Sequence, residues 1–448
     1  MRRLIPALAL LLGACASTLP PATGTERSEV RIGGEGGPMS AALVEQVTMS
    51  ALARDYVGLI LEIGEHEPGY VDAYYGPAEW QAEAKAGKRA LPELLALANR
   101  MVADLEAVRP TAPEVIQRKA YLIAHTRAAA ARIRMLSGEK LGFADEAEAL
   151  FGIRPELWPL ASFDPILARI DALVPGQGDL TDRVTAFKAQ YQIPQDRLQV
   201  VMDTAIAECR RRTVQHIALP ANERFTLSFV GDKPWSGYNY YLGDAASRIE
   251  INADFPIYTE RAIDLGCHEG YPGHHVYNAL LERTFVREKG WVEMSVYPLF
   301  SPMSFVAEGS ANYGIDLAFP GDEATAFERD VLFPLAGLDP STVEAKAELM
   351  ALTRQLARAE YTIADDYLAG RVGREETISR LVKYTLAEPD KAAQRLRFID
   401  TYRSYIINYG LGRDVVQAWV EQQGPDRWQG IETLLSSQIL PVDLIPEA

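Results

Sequence analysis

Cys267-His268-Glu269-Gly270-Tyr271-Pro272-Gly273-His274-His275-Val276-Tyr277-Asn278 is the stretch from which the rest of the chain can be read. Of six histidines in the sequence, three fall within the eight residues 268–275, with a carboxylate directly after the first. Neutral imidazoles are common zinc ligands, and a Glu beside a ligand His can serve as the base that activates water. The usual zinc-protease pattern sets two His four apart on one helix so that both reach one ion. Here the fourth position after His268 is Pro272. In an unbroken helix His275 would keep nearly the face of His268 but lie about 10.5 Å along the axis, and His274 would be nearer but about 120° off the face. Pro272 removes an amide proton and clashes with the carbonyl one turn back, while Gly273 tolerates unusual dihedrals, so a break is expected. A kinked turn that absorbs the two extra residues gives His274 the second ligand's place. His275 is the substitute if the kink resolves the other way.

Outward from this stretch, the pattern upstream is strand-like. Phe225, Leu227 and Phe229 alternate with polar residues, Ile249 and Ile251 flank Glu250, and Gly231, Gly237 and Gly243-Asp244 lie between them. Alternation broken by turn chemistry predicts a small antiparallel sheet over 224–254. Downstream, Phe305-Val306-Ala307-Glu308-Gly309-Ser310-Ala311-Asn312-Tyr313 sets one Glu among apolar and small residues. A buried carboxylate without a partner is costly, so Glu308 is the candidate third ligand, with Asn312 four residues on to hydrogen-bond a ligand.

The remainder reads as helix. In 196–217 the apolar side falls on Leu198, Val201, Met202, Ala205 and Cys209, at three-and-four spacing. After Pro340, Ser341 and Glu344 have capping-box spacing, and the apolar stripe runs to Gly370. Similar signals occupy 40–65, 112–136 and 390–422. The expected fold is mainly α: one large helical body over 41–448, with the small antiparallel sheet inserted next to the metal-site helix.

The first residues give an address. Met1-Arg2-Arg3 is a cationic start, 4–12 is an apolar run too short to span a bilayer, and Leu12-Gly13-Ala14-Cys15 looks like the lipobox of bacterial lipoproteins. The expectation is a signal peptide over 1–14, a lipidated Cys15, and a flexible Pro/Gly/Ser/Thr-rich tether over 15–40. An ordinary signal peptide cut at a small residue is the other reading. The protein is then exported and held to a bacterial membrane by its lipid alone, facing the periplasm or the cell surface. With Cys15 so used, Cys209 and Cys267 remain of three cysteines. They can pair in an oxidising compartment, or Cys267 can be a plain buried thiol beside the site.

The whole chain has 448 residues, 48% of them apolar and 24% charged, which excludes disorder for most of its length. Its 45 basic against 61 acidic residues leave a net charge of −16, which argues against a nucleic-acid partner. Length, composition and motifs leave the oligomeric state open.

His268-Glu269-x-x-Pro272-Gly273-His274-His275, followed by Glu308-Gly309-x-Ala311-x-Tyr313, resembles the bacterial "domain of unknown function 885" family, whose members are often exported or lipoproteins and metallopeptidase-like. The resemblance extends to 248–252, to Tyr409-Gly410-Leu411-Gly412 and to Tyr70-Val71-Asp72-Ala73-Tyr74-Tyr75-Gly76-Pro77. It implies a mostly helical protein similar to the Glu-zincin peptidases. One zinc ion would be held by His268, His274 or His275, and Glu308, with Glu269 as general base. The strand at 248–254 would offer an edge to an extended peptide, with Arg248 and Asn252 as substrate-binding residues. Tyr409, with Tyr313 next, would supply the phenol that stabilises the oxyanion.

Three functions fit these residues. The first is a membrane-tethered zinc peptidase acting on peptides outside the cytoplasm. The second is a metal-dependent hydrolase of some other amide or ester. The third is a non-catalytic metal-binding lipoprotein. A base beside the first His favours the first two, since a structural zinc site needs none.

Overall fold

Three-and-four apolar spacing becomes helix along most of the chain, and two-fold alternation becomes strand in the one region that shows it. The computed structural model describes residues 41–445, so the expected signal peptide, Cys15 and tether lie outside the described residues. From Ala41 onward the chain is one compact unit, 66% helical, which places it in the mainly α class. Among the described residues, no helix is long and apolar enough to cross a membrane.

Periodicity locates the helices well. Leu198–Thr213 buries Leu198, Val201, Met202, Ala205 and Cys209, and Ala41–Gly64 and Pro113–Leu136 occupy the other expected stretches. Two long stretches break where the sequence gives no Gly or Pro signal. The helix after Pro340 divides into Val343–Gln355 and Ala359–Leu368, and the capping carboxylate is that of Asp339, which accepts the amide of Ser341 in the short turn Pro340–Thr342 leading into it. The stretch 390–422 divides into Pro389–Tyr402 and Ile407–Gln422 at Arg403, where φ is +52°. Buried Glu146 holds that second break: it accepts from Arg403 Nε at 2.7 Å, Ser404 Oγ at 2.7 Å and the Ser404 amide at 3.2 Å. Tertiary bonds to a buried carboxylate here outweigh local helix propensity.

Strands β1 (Val71–Tyr74) and β5 (Val296–Pro298) form an antiparallel pair. The sheet predicted over 224–254 has β2 (Arg224–Val230), β3 (Gly237–Gly243) and β4 (Ala246–Asn252), in the order β2-β4-β3. β3 and β4 make the expected antiparallel hairpin. Its turn residues Asp244 and Ala245 have φ of 55° and 51°, the two positive values that match the twist of the strands. β2 instead runs parallel to β4. The chain leaves β2 through 231–236, starts β3 on the far side, and returns so that β4 lies in the middle. The burial of Ile249 and Ile251 suits a central strand, whereas β2 alternates between exposed and half-buried positions. One expectation changes as a result: 248–252 has partners on both sides, and the edges of this sheet are β2 and β3.

The Pro302–Ala318 and Ile407–Gln422 helices cross at Gly309 and Gly412. A Cβ on Gly309 would stand 2.6 Å from the Gly412 backbone, so only glycine allows the approach. That contact sets Glu308 and Asn312 opposite Tyr405 and Tyr409.

Candidate metal centre

The histidine stretch begins as helix Thr259–Leu265, opens into a wider turn over Gly266–Gly270, and resumes as helix His274–Leu281. The amide of Gly273 donates to the carbonyl of Cys267 at 3.0 Å, and a Cβ on Gly273 would lie 1.8 Å from the carbonyl oxygen of His268. No side chain fits there, so glycine is required for the fold-back. The result is that His274 Nε2 stands 3.2 Å from His268 Nε2.

Glu308 completes the group from the Pro302–Ala318 helix. Its Oε2 lies 3.2 Å from His268 Nε2 and 3.5 Å from His274 Nε2. Ligand atoms ~2.0–2.1 Å from a tetrahedral zinc ion stand about 3.3 Å apart. The same Oε2 is buried and without a hydrogen bond, so the donor set fits one divalent cation. His268, Glu269 and His274 also offer ligand atoms that all lie within 4.8 Å of one another, so Glu269 is at the same centre.

Neighbouring groups orient these side chains. His268 Nδ1 lies 3.2 Å from Asn312 Oδ1, and Asn312 Nδ2 donates in turn to the carbonyl of Tyr409 at 3.2 Å. With Nδ1 as the donor, Nε2 keeps its lone pair toward the centre. Tyr405 donates to Glu308 Oε1 at 2.8 Å. The Glu269 carbonyl accepts from Asn239 Nδ2 at 2.7 Å, and its carboxylate packs on Gly237, where a Cβ would be 2.8 Å from Oε1.

The two carboxyls differ in character. Burial raises Glu269, with the charge of Glu308 adding to the effect and those of His268 and His274 opposing it. Burial acts on Glu308 too, but the charge and close approach of the His274 and His268 imidazoles hold it well below the carboxylate range. Burial disfavours a charged His268, yet the nearby carboxylates of Glu308 and Glu269 keep it above its ordinary value.

Several expected residues lie elsewhere. His275 is fully buried on the opposite side of its helix, with Nδ1 2.8 Å from Ser247 Oγ and Nε2 3.1 Å from Glu223 Oε2. It braces the turn against β4 and does not face the centre, because the fold-back that aims His274 inward turns the next residue away. Tyr313 is buried beside Arg427 and does not line the cavity. Arg248 pairs with Glu250 at 3.2 Å on the sheet surface. Asn252 Nδ2 donates to the carbonyls of Lys233 and Trp235, so it shapes the loop before β3 without touching the cavity. Cys209 and Cys267 form a disulfide, with Cα atoms 5.4 Å apart.

A cavity of about 300 Å³ opens over the centre, the size of a small-ligand site. Tyr409 lines it, its ring 6.3 Å from that of His268. Other lining residues had no reading in the sequence. Tyr405 lies four before Tyr409, beyond a helix break with no local signal. Asp72, in the quoted Tyr70–Pro77 stretch, accepts from Tyr238, and burial lifts its carboxyl to about 6. Arg261 precedes His268 by seven residues, a helical spacing that could have found it.

No protein-family model matches the chain, and no curated protein matches it. Solved structures do resemble it. A protein of Colwellia psychrerythraea classed as a lipoprotein aligns over 82% of this chain and 68% of its own, at 15% identity and a TM-score of 0.49. A protein of Shewanella oneidensis, classed as a lipoprotein of unknown function, aligns over 82% of this chain and 74% of its own, at 12% identity and a TM-score of 0.46. A carboxypeptidase of Pyrococcus furiosus aligns over 88% of this chain and 89% of its own, at 11% identity and a TM-score of 0.39.

Proposed function

We propose that this protein is a zinc-dependent peptidase of the "domain of unknown function 885" kind, tethered outside the cytoplasm by a lipid on Cys15. The observation that carries the reading is the convergence of His268 Nε2, His274 Nε2 and Glu308 Oε2 at 3.2–3.5 Å from one another, with the Glu269 carboxylate beside them. His268, His274 and Glu308 would hold the ion, since they meet at ligand-to-ligand distance. Glu269 is left as the base.

When bound, a divalent ion at this centre supplies Lewis acidity to a water and to the scissile carbonyl. Glu269 takes the proton of the attacking water and returns it to the leaving amine, a task suited to a carboxyl whose proton affinity is raised by burial. Tyr409 faces the cavity and supplies the phenol for the developing oxyanion, while Tyr405 holds Glu308 in orientation. An extended peptide can lie along the free edge of β3, whose Gly237, Tyr238 and Asn239 line the cavity.

Metal analysis of the purified body with His268→Ala as control, followed by digestion of a peptide library, tests this. One zinc per chain, lost in the variant, together with peptide cleavage is the expected result. Stoichiometric zinc without cleavage of any peptide would favour a different amide or ester. Protein that binds no metal would overturn the reading.

A further inference from the structure

One wall of the cavity is cationic, with Arg261, Lys391 and Arg395 all lining it. Arg395 holds Glu360 through bonds of 2.8 and 2.6 Å, and Arg261 pairs with Asp264. Lys391 differs from both. Among the described residues it forms no ion pair: its ammonium donates to Gln394 Oε1 and lies 4.4 Å from the Phe255 ring centre. Asp254, the acidic group whose charge it feels, has its carboxylate engaged by the amide of Asp232. Burial, with the like charges of Arg395 and Arg261, holds the Lys391 amine down to about 8. An ammonium so placed is stabilised by any anion that reaches it.

We propose that Lys391, flanked by Arg261 and Arg395, receives a carboxylate of the peptide on the leaving-group side of the scissile bond, so that the site trims one or two residues from a free C-terminus. The inference rests on the peptidase reading and names its substrate class. The spacing supports it. Arg261 stands seven residues before His268, at most about 10 Å along the axis, since the helix widens over Gly266–Gly270. An extended peptide spans about 3.3–3.6 Å per residue. Side chains reaching inward from both ends of that interval leave room for one or two residues. The chemistry balances as simple hydrolysis: the C–N bond breaks, the hydroxyl of water joins the acyl carbon, and its proton goes to the leaving amine. An acidic side chain just beyond the scissile bond is the other possible source of the carboxylate.

The test is calorimetric binding in the full-length Glu269→Gln background, so that nothing is cleaved, with metal loaded and after chelation. Three short peptides are compared: a neutral one with a free C-terminal carboxylate, its C-terminal amide, and an amide with Asp in the last position. The free acid should bind at least about tenfold more tightly than its amide, the weight of one charge-assisted contact. Lys391→Gln should bring that ratio near one, and Lys391→Arg should restore most of it. Preference for the Asp amide alone would assign the subsite to a side chain and overturn C-terminal trimming. Equal affinities for all three, or a preference that survives Lys391→Gln in a variant with unchanged circular dichroism, would overturn the subsite itself. Digestion with the wild-type enzyme separates the two readings. Free-acid preference with no cleavage sinks the peptidase and keeps the subsite, whereas cleavage blind to the C-terminus keeps the peptidase and sinks the subsite.

Discussion

Glu269 and Glu308 are buried carboxylates at one centre, yet their surroundings divide the work between them. Both imidazoles stabilise the charge on Glu308, while burial favours the proton on Glu269. Pairs pushed apart in this way mark ligand and base. Glu269→Gln keeps the ligand set and removes the proton acceptor, so it should stay metal-replete and lose on the order of 10²- to 10⁴-fold in kcat. Metal content measured beside turnover checks this, and loss of metal in the variant would make Glu269 a ligand. The two adjacent histidines should separate as cleanly. His274→Ala should lose the ion. His275→Ala should keep it but lose about 2–3 kcal/mol of stability in urea, because Glu223 and Ser247 are left with a buried bond unmade.

At the scale of elements, two ties hold the metal turn to its surroundings. The first is Glu223, which accepts from His275, from Tyr271 at 2.5 Å and from Arg210 of the Leu198–Thr213 helix. Burial works to raise its carboxyl, but these bonds lower it from an ordinary 4.5 to about 2. A carboxyl lowered by folding contributes stability in full above its unfolded value and loses it as the pH falls through the folded one. With Arg210 half-exposed to solvent, screening reduces the contribution to about 1–2 kcal/mol. Urea midpoints should therefore fall between pH 5 and pH 2 in the wild type and fall less steeply in Glu223→Gln. Parallel curves would mean that other groups govern acid stability. The second tie is the disulfide, which closes a span of 58 residues between that helix and the residue before His268. Chain entropy values such a loop at about 4 kcal/mol. The Cys209→Ser, Cys267→Ser double variant should show a loss of this size by chemical denaturation, and a negligible loss would mean that packing alone holds the turn.

For the whole molecule, the proposed anchor gives the final prediction: Cys15→Ser should abolish lipidation and move the protein from the membrane fraction to the soluble one. Retention on membranes with no lipid on the wild type would remove the lipoprotein reading. Helices and strands were legible along the chain because both follow from local period and composition. The histidine stretch was legible too, because Pro272 and Gly273 force a break wherever they stand. The direction of that break was not. Gly273 packs on the His268 carbonyl while Ser247 and Glu223 hold His275 from behind, and these partners are distant in sequence. The same limit hid the parallel β2, which put β4 in the middle and left β2 and β3 as the edges. It also hid Tyr405, set over Glu308 by a helix break that Glu146 clamps from more than 250 residues away. Local sequence determined which residue types were available for chemistry and where the backbone had to bend. Which of them face one another was decided by long-range packing and buried hydrogen bonds, whose energies depend on distances that no short stretch of sequence contains.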